Sequence, residues 1–600
     1  MSTPKGARQR KGGGKAAQAS TKASEPESTP AAPVEHRAGS KVRAVLWGGA
    51  AVLALLASRY PQQVASGVNW FLGVEEDSRK NWLPGATPQG YIGFDNDEPR
   101  QQAIVQAFQH AWSAYERDAM GMDEYHPISK GGSLLTAAGG IGYTVVDSLD
   151  TMLIMGLKEE YERARQWVEN ELTFDRDGEY NTFETTIRVL GGLLSAYHLS
   201  GGDKLFLDKA IDLGDRMLPI FSAGGVGLPT GKVNLGQRKG VVDMDNNGYV
   251  STAEATTLQL EFKYLSALTD DDVYWRKAER VMAIVKANTP TPPLATIYIN
   301  PMNGKFHTAA IRLGSRGDSY YEYLIKQYIQ TNGTEEVYRD MYSNAIDAVT
   351  AHLVQKSMTT GHIYTSELIP QFLKDGGLNW RSEPKQDFLV CFLGGTLMLG
   401  ATRAHAVVDQ VSIPPKASEL SEQGQRDWKT GVALIETCMH THDTLTGLAP
   451  EIAHFRTPND GLDKEIGGGM PRDWYIKGAK PGAPSPYDAR YMLRPETVES
   501  LFYAFRLTGD VRYRNHGWNI FRAILKHCRV PSGGFATVLN VDQMPVKVED
   551  KMETFFMSET LKYLYLLFSD NQTIPLSDYV FNTEAHPLPI FKPTIRTGFS

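Results

Sequence analysis

A helix–turn–helix pattern that recurs along the chain constrains the fold more than any other feature. Short polar turns begin at residues 200, 269, 331 and 508, each between two apolar stretches, with an aromatic residue near the start of the second stretch. A hairpin about every 65–70 residues predicts roughly seven helix pairs. One hairpin cannot bury its own apolar face, so neighbours must share a core. An open solenoid and a closed α/α toroid both fit this pattern, and we expect the closed form.

The helical spacing is clearest in residues 98–120, where Ile104, Phe108 and Trp112 fall on one face. This spacing predicts a helix with one buried side. No alternating strand pattern and no glycine-rich dinucleotide fingerprint occur in a credible strand context, which excludes a doubly wound nucleotide-binding fold. We therefore predict an all-α body.

The front of the chain differs from the rest in composition. Residues 1–43 are rich in Gly, Ala, Ser, Pro and Lys, carry a net charge of +6 and are expected to be disordered. Ala44–Ser58 has no charged side chain, and the basic residues before it favour a cytosolic N-terminus. We predict a cytosolic tail over 1–43, a transmembrane signal anchor over 44–58, a lumenal stem over 59–94 and a folded body over 95–600. A cleaved signal peptide and a buried core helix are the less favoured alternatives for the apolar segment.

Charge and cysteine content narrow the class of protein. The whole chain has a net charge of −7, so the part after residue 43 is acidic, which excludes a nucleic-acid footprint on the body. Three cysteines exclude a disulfide scaffold and a Cys-rich zinc module. Cys391 and Cys438 could pair in an oxidising lumen and leave Cys528 free, but the sequence does not fix this connectivity. Asn332 and Asn571 begin N-glycosylation sequons, which fit the same compartment.

Carboxylates recur near the starts of several predicted helices. Glu184 and Arg188 are four residues apart, and Glu496 and Glu499 are three apart, so each pair shares a helix face. A solvated helix face is the ordinary explanation for such a pair. These acids, however, lie within apolar stretches, where an unpaired carboxylate is costly. A ring of buried acids inside an α/α barrel suits an oxocarbenium-like transition state and a hard cation.

Eight motifs in order, from Gly142 to Pro589, carry a resemblance to a known family. They are GYTVVDSLDTMLIMGL, FETTIRVLGGLLSAYHLSG, AEATTLQLEFKYLS, SRGDSYYEYLIKQYI, FLVCFLGGT, YMLRPETVESLFYAFRLTGD, METFFMSETLKYLYLLF and VFNTEAHPLP. With these motifs the chain resembles the class I α-1,2-mannosidases, glycoside hydrolase family 47. The resemblance implies that residues 95–600 form an (α/α)₇ toroidal catalytic domain behind the anchor helix, with one Ca²⁺ at the barrel floor and hydrolysis with inversion of configuration.

The resemblance also implies roles for individual residues. Glu184 matches the general acid, which acts through a water, and Glu496 matches the general base that activates the attacking water. Asp318 matches a second acid for which either role has been argued. Thr583 matches the calcium ligand through its backbone carbonyl and hydroxyl. Further positions match residues around the terminal mannose and the calcium waters, with Phe555 under the sugar ring and Arg316 in the glycan-accepting cleft: Arg188, Glu261, Arg316, Arg494, Glu499, Phe555, Glu559 and Glu584.

Two features stand apart from this pattern. Phe388 occupies a position where the family usually has His before the LVCF segment, so either a hydrogen-bonding partner of the bound sugar is missing or a neighbouring residue replaces it. Residues 243–254 fit the calcium loop of an EF-hand, D-x-D-x-[DN]-G-x₅-E. The sequence before this loop is unlike an entering helix, and Glu254 also belongs to the AEATTLQLEF segment. We therefore interpret the loop as a surface insertion.

The segment around Arg316 resembles the endoplasmic-reticulum type of the family. This implies a single-pass type II protein of the endoplasmic reticulum membrane that trims the high-mannose N-glycan Man₉GlcNAc₂ to Man₈GlcNAc₂ in glycoprotein maturation and quality control. The alternatives are a Golgi enzyme that removes several mannoses, a lectin-like factor of glycoprotein degradation, and a structural helical-repeat scaffold. Retention of Glu184, Asp318 and Glu496 disfavours the lectin.

Overall fold

The computed structural model of the chain describes residue 83 and residues 93–458, 472–479, 484–595 and 599. The tail and anchor that we predict over 1–58 lie outside these residues, as does most of the stem. Within the described part, no helix is both long and apolar enough to cross a bilayer.

Fourteen long helices among the described residues make up most of the structure. In chain order they are α1 Glu98–Ala119, α2 Tyr143–Met155, α3 Lys158–Asn170, α4 (Thr182–Glu184, Thr185–Leu190 and Gly191–Leu199 without a break), α5 Lys204–Met217, α6 Gln259–Thr269, α7 Asp272–Asn288, α8 Asp318–Gln330, α9 Glu336–His352, α10 Phe392–Arg403, α11 Glu422–Thr441, α12 Glu496–Thr508, α13 Val511–His527 and α14 (Phe556–Thr560 and Leu561–Phe568). Two short helices, Ile220–Ala223 and Thr252–Thr256, lie in loops.

These helices form a closed ring of pairs. The even-numbered helices α2 to α14 each contact the next even-numbered helix, and α14 contacts α2, which closes an inner ring. Six of them pair with the odd-numbered helix that follows, and α14 pairs with α1 from the other end of the chain. The arrangement agrees with the prediction of about seven hairpins and with the closed form rather than the open solenoid.

Burial separates the two layers of the ring. In α2 the side chains from Tyr143 to Met152 are all buried, as expected for a helix with neighbours on every side. In its outer partner α3, only Ala164 and Val168 are buried, so one narrow face packs inward. The inner helices therefore have no solvated face, and a charged side chain on them must be buried.

The turns that the sequence marked are built by aspartate caps. Asp203, Asp271 and Asp510 each accept a hydrogen bond from a backbone N–H at the start of α5, α7 and α13 respectively. Gly509 ends α12 with φ of 70°, a left-handed conformation that glycine adopts without strain. The polar turns at 200, 269 and 508 thus stop an inner helix and start an outer one.

The prediction of an all-α body needs one correction, because short antiparallel strands join the helices. Within the described residues they form eight small sheets of two or three strands and no closed sheet. The strands are β1 Glu124–His126, β2 Gly131–Ser133, β3 Glu179–Asn181, β4 Lys232–Asn234, β5 Lys239–Val241, β6 Val250–Ser251, β7 Tyr298–Ile299, β8 Val354–Lys356, β9 Ile363–Thr365, β10 Glu367–Phe372, β11 Leu378–Glu383, β12 Lys385–Asp387, β13 Ile452–Phe455, β14 Trp474–Tyr475, β15 Thr537–Val538, β16 Val548–Glu549, β17 Tyr579–Phe581 and β18 Pro587–Pro589. Most have two to four residues, too few for a period-two pattern to show in the sequence.

One disulfide ties an inner helix to its outer partner. Cys391 and Cys438 are bonded, with their Cα atoms 5.9 Å apart, and tie the start of α10 to α11. Cys528 is free and buried. This is the pairing that the sequence left open.

Candidate active site

Acidic side chains meet at the N-terminal ends of the inner helices. Asp318 and Glu496 are the first residues of α8 and α12, Glu261 lies in the first turn of α6, and Glu184 and Glu559 lie near the starts of α4 and α14. Successive hairpins make the inner helices run in one direction, so these ends share one end of the barrel. The N-terminal end of a helix dipole favours negative charge, which helps to hold carboxylates there.

The helices α4 and α14 widen where they bear site residues. Thr185–Leu190 and Phe556–Thr560 have π-helical hydrogen bonding, which is rare and is found frequently at functional sites. The first segment contains Arg188 and the second contains Glu559. This local geometry is a structural signal for the site that the sequence did not reveal.

Arg188 connects several site residues. Its Nε donates to Glu184 Oε2 at 2.9 Å, and its Nη1 donates to Thr554 Oγ1 at 2.9 Å and to the carboxylate of Glu584. Tyr143 also donates to Glu184, at 3.3 Å. The side chain of Glu184 is 35% exposed, so a carboxylate fixed by two donors still faces the open end of the barrel.

Arg494 occupies the corresponding position beside Glu496. It forms a bidentate ion pair with Glu451 at 2.6 and 2.8 Å, and its Nη1 lies 3.9 Å from Glu496 Oε1. The guanidinium groups of Arg494 and Arg188 each lie 5.7 Å from the ring centre of Phe555. Glu184 and Glu496 are therefore joined through two arginines and one aromatic ring.

A third group of contacts surrounds Thr583 in the loop between β17 and β18. The Thr583 hydroxyl donates to Glu322 Oε2 at 2.8 Å, and Glu322 also binds Lys326. Lys326 lies 3.8 Å from Glu499. The structure thus brings the predicted calcium ligand next to the predicted site acids.

Glu261 is fully buried on the other side of this loop. It accepts hydrogen bonds from Tyr323 at 2.7 Å and from Asn582 at 2.8 Å, while its second oxygen has no hydrogen-bond partner. Tyr323 in turn accepts a hydrogen bond from the backbone N–H of Thr583 at 3.3 Å. A buried carboxylate oxygen left without a donor is expensive unless a ligand or water completes it.

Burial raises the pKa of most of these carboxyls. It raises the pKa of Asp318 and of Glu496 to about 7. Repulsion from neighbouring acids adds to the shift of Asp318, whereas the charge of Arg494 opposes the shift of Glu496. Burial also raises the pKa of Glu559 and Glu584 well above the usual range; repulsion from Glu584 adds to the shift of Glu559, and repulsion from Asp147 and Glu184 adds to that of Glu584. Acids this close are poised either to share protons or to surround a cation.

The donor set near Thr583 fits a hard cation that is held mainly by oxygen and water. No group of three or more His, Cys, Asp or Glu side chains is arranged to bind a metal ion directly in the described part of the chain. The threonine hydroxyl is instead bordered by buried carboxylates, among them Glu322 and, through Tyr323 and Asn582, Glu261. Such acids can bind the waters of an oxygen-liganded ion.

Arg316 and the EF-hand-like loop meet at Glu254. Burial raises the pKa of Glu254 to about 7, repulsion from Glu184 adds to the shift and the charge of Arg316 opposes it. Arg316 has φ of 71°, and its guanidinium lies 5.7 Å from the ring centre of Tyr298. Arg316 is thus joined to the site through Glu254, a residue to which the sequence assigned no role in the reaction.

A lysine side chain from outside the EF-hand-like loop contacts the first two ligand positions of the loop. Lys232 Nζ lies 2.9 Å from Asp245 and 3.2 Å from Asp243, the first two ligand positions of the motif. The segment before the loop is strand β5 and not a helix. Both observations argue against a filled EF-hand, but residues 250–253 in the second half of the loop are buried, so the prediction of a surface insertion is wrong for that half.

Phe388 is buried against two other rings. Its ring lies 6.0 Å from the rings of Tyr491 and His442, and the Tyr491 hydroxyl has no hydrogen-bond partner.

Glu451 is a further residue that the sequence analysis missed. It immediately precedes the short strand β13, and no local pattern marks it as the partner of Arg494.

Comparisons with known proteins agree with these observations. The sequence model of Glycosyl hydrolase family 47 matches residues 107–590 of this chain. A mannosyl-oligosaccharide 1,2-alpha-mannosidase of Candida albicans is 44% identical over 511 residues, which cover 84% of this chain and 85% of the relative. The endoplasmic reticulum mannosyl-oligosaccharide 1,2-alpha-mannosidase of Homo sapiens is 41% identical over 572 residues, which cover 94% of this chain and 73% of the relative.

A solved structure gives the same result for the fold. The alpha-1,2-mannosidase from Trichoderma reesei superposes with a TM-score of 0.69 at 27% sequence identity. The match covers 83% of this chain and 100% of the Trichoderma reesei chain. The resemblance inferred from the eight motifs is thereby confirmed, and the protein is a glycosidase. The chain belongs to glycosyl hydrolase family 47.

Proposed function

We propose that this chain removes terminal α-1,2-linked mannose from high-mannose N-glycans, converting Man₉GlcNAc₂ to Man₈GlcNAc₂ with inversion and with dependence on Ca²⁺. The observation that carries the proposal is the connected set of buried carboxyls around Phe555 and Thr583. The names of the Candida albicans and human relatives support the substrate class, because both are mannosyl-oligosaccharide 1,2-alpha-mannosidases.

An inverting glycosidase needs one protonated carboxyl and one ionised carboxyl on opposite sides of the scissile bond. Glu184, which faces the open end of the barrel, protonates the leaving oxygen through a water. Glu496 takes a proton from the water that attacks the sugar. Because the pKa of Glu496 is raised to about 7, a substantial part of it is ionised at neutral pH and it is still basic enough to accept a proton.

The remaining residues hold the sugar and the charges around it. Phe555 offers an apolar ring to the C–H face of the mannose. Arg188 and Arg494 flank that ring and fix Glu184 and Glu451, so the acid and the environment of the base are positioned by charged hydrogen bonds. Asp318 begins α8 close to Glu496 and supplies a second carboxyl that can share the proton.

Thr583 would hold the calcium ion through its hydroxyl and carbonyl oxygens, and the acids near it would bind the ion's waters. When bound, the ion supplies positive charge that offsets the surrounding carboxylates and orients the hydroxyl groups of the sugar. Glu322, Glu261 and Glu584 border this loop and are the residues whose repulsion such an ion would relieve.

We place the protein in the endoplasmic reticulum membrane, with the anchor over 44–58, the tail over 1–43 in the cytosol and the catalytic domain in the lumen. The endoplasmic reticulum relatives from Homo sapiens and Saccharomyces cerevisiae support this location, the latter at 37% identity. The Cys391–Cys438 bond is in keeping with an oxidising compartment. A Golgi enzyme that removes several mannoses is the second candidate.

The test is a time course of Man₉GlcNAc₂ hydrolysis by the purified full chain, with and without EDTA. We expect release of β-mannose, accumulation of a single Man₈ product, loss of activity in EDTA and recovery with Ca²⁺. Continued trimming below Man₈ at the same rate would favour the Golgi type. Glycan binding without mannose release by the Ca²⁺-loaded chain would favour a lectin and refute the proposal.

A further inference from the structure

Four ionisable side chains form a continuous buried row beneath the candidate site. Lys562 Nζ lies 2.8 Å from Asp150 Oδ1, and Asp150 Oδ2 lies 2.7 Å from His586 Nδ1. His586 Nε2 lies 3.1 Å from Asp147 Oδ1. None of the four side chains has any exposed surface. We refer to Lys562, Asp150, His586 and Asp147 as the buried ion row, and the reaction proposed above assigns no role to any of them.

The contacts of His586 require it to be a cation. Each ring nitrogen faces a carboxylate oxygen, and an ionised carboxylate only accepts hydrogen bonds, so both nitrogens must donate. Ser195 donates to the same Asp150 oxygen at 2.9 Å. With an imidazolium, two positive and two negative charges balance within the row; with a neutral ring, one of the two carboxylates would face a ring nitrogen that has no hydrogen to donate.

One end of the buried ion row faces the acid side of the site. Asp147 Oδ2 lies 3.6 Å from Arg188 Nη1 and has no hydrogen-bond partner of its own. Arg188 in turn holds Glu184. A shift of Asp147 would therefore change the charge that Arg188 faces from below and remove one of the groups that position its guanidinium.

The other end holds the loop that contains Thr583. Lys562 donates to the carbonyl of Ala585 at 2.7 Å, and the backbone N–H of His586 donates to Asn582 Oδ1 at 2.8 Å. The loop also packs directly on α4, because a Cβ at Gly191 would come within 2.7 Å of Asn582 and 3.1 Å of His586. The backbone of His586 thus closes a loop that is held on both sides of Thr583, and its ring anchors this loop to Asp147 and Asp150.

We propose that His586 is a positioning residue: held as a cation between Asp147 and Asp150, it sets the place of the Thr583 loop and, through Asp147, the place of Arg188 and Glu184. One buried group would then align the calcium position with the acid that protonates the leaving sugar. The inference rests on the proposed function, since it concerns how that site is assembled.

The test compares His586→Gln with a matched variant, His405→Gln, in the full chain. His405 is also a buried histidine beside an aspartate, with Nε2 3.6 Å from Asp427, and it lies between α10 and α11 away from the site. We expect His586→Gln to weaken Ca²⁺ binding, measured by calorimetric titration of the metal-free chain with CaCl₂, by about 10- to 100-fold and to lower kcat by a similar factor. His405→Gln should lower the thermal midpoint and leave both quantities within about twofold of the unmodified chain.

A second variant separates the two ends of the buried ion row. Asp147→Asn retains an oxygen that accepts from His586 but removes the charge that faces Arg188, so kcat should fall at least about 10-fold while Ca²⁺ affinity changes little. The inference is overturned if both variants match His405→Gln in kcat and in Ca²⁺ affinity. If His586→Gln does not fold, Asp147→Asn decides alone, and an unchanged kcat refutes the proposal. If the unmodified chain releases mannose equally well without Ca²⁺, the proposed function is refuted instead.

Discussion

Replacement of Arg494 by Gln tests whether a single guanidinium keeps Glu496 ionised at neutral pH. Arg494 Nη1 lies 3.9 Å from Glu496 Oε1, and both side chains are largely buried. Opposite unit charges about 4 Å apart interact by about 4 kcal/mol at an effective dielectric constant of about 20. Since about 1.4 kcal/mol corresponds to one pKa unit, removal of Arg494 is expected to raise the pKa of Glu496 by about one to three units.

The sign of the effect on activity follows from the role of Glu496 as base. Only the ionised form accepts a proton, so kcat/KM rises with pH as Glu496 loses its proton, and a higher pKa moves this acidic limb to higher pH. The loss at pH 6 is therefore expected to be about 10- to 1000-fold, and smaller at higher pH. The assay is the pH profile of kcat/KM for release of mannose from Man₉GlcNAc₂.

The control addresses Glu451, which loses its bidentate partner in this variant. An unpaired buried carboxylate costs about 3–5 kcal/mol of stability and also repels Glu496. The double variant Arg494→Gln with Glu451→Gln removes both charges and should regain most of the stability with a smaller displacement of the limb. An acidic limb that stays in place in the folded single variant would refute the assignment of Glu496 as the base that Arg494 controls.

Three further outcomes follow from the structure. Glu184→Gln should lower kcat by about 10²- to 10⁴-fold with a smaller change in KM, as steady-state kinetics on the same glycan will show; an unchanged kcat would remove Glu184 as the acid. Cys438→Ala opens a bond between residues 47 positions apart, so we expect about 4 kcal/mol less stability in urea unfolding, and a loss below about 1 kcal/mol would contradict this chain-entropy estimate. Asp243→Ala combined with Asp245→Ala should leave the Ca²⁺ stoichiometry at one per chain in calorimetry, because the Lys232 ammonium already pairs with both aspartates.

The hairpin architecture could be predicted because its signals are local. Helical spacing in residues 98–120 and aspartate caps such as Asp203 and Asp510 involve neighbours a few positions apart, and the structure places helix ends there. The acids at helix starts could also be predicted, since their burial is implied by the apolar residues around them. The resemblance then added which acid has which role, and those roles stay predictions.

Other features of the site could not be predicted because they depend on contacts between distant segments. Glu451 pairs with Arg494, and Asp147 with His586, across 43 and 439 positions, and no local pattern connects either pair. Glu254 fitted a calcium loop by its spacing, yet in the structure it faces Glu184 and Arg316. The two π-helical turns in α4 and α14 were likewise not marked by any pattern in the sequence.

The pairing of α1 with α14 has a consequence for biogenesis. The N–H of Asp97 binds the carbonyl of Phe568, so the seam of the ring joins segments that leave the ribosome at opposite ends of synthesis. The earliest hairpins must wait with an unpaired apolar flank until the last ones are made, a period in which chaperones would be needed. The Thr583 loop follows α14 in the chain, so the calcium site proposed above can form only after this loop has also been made.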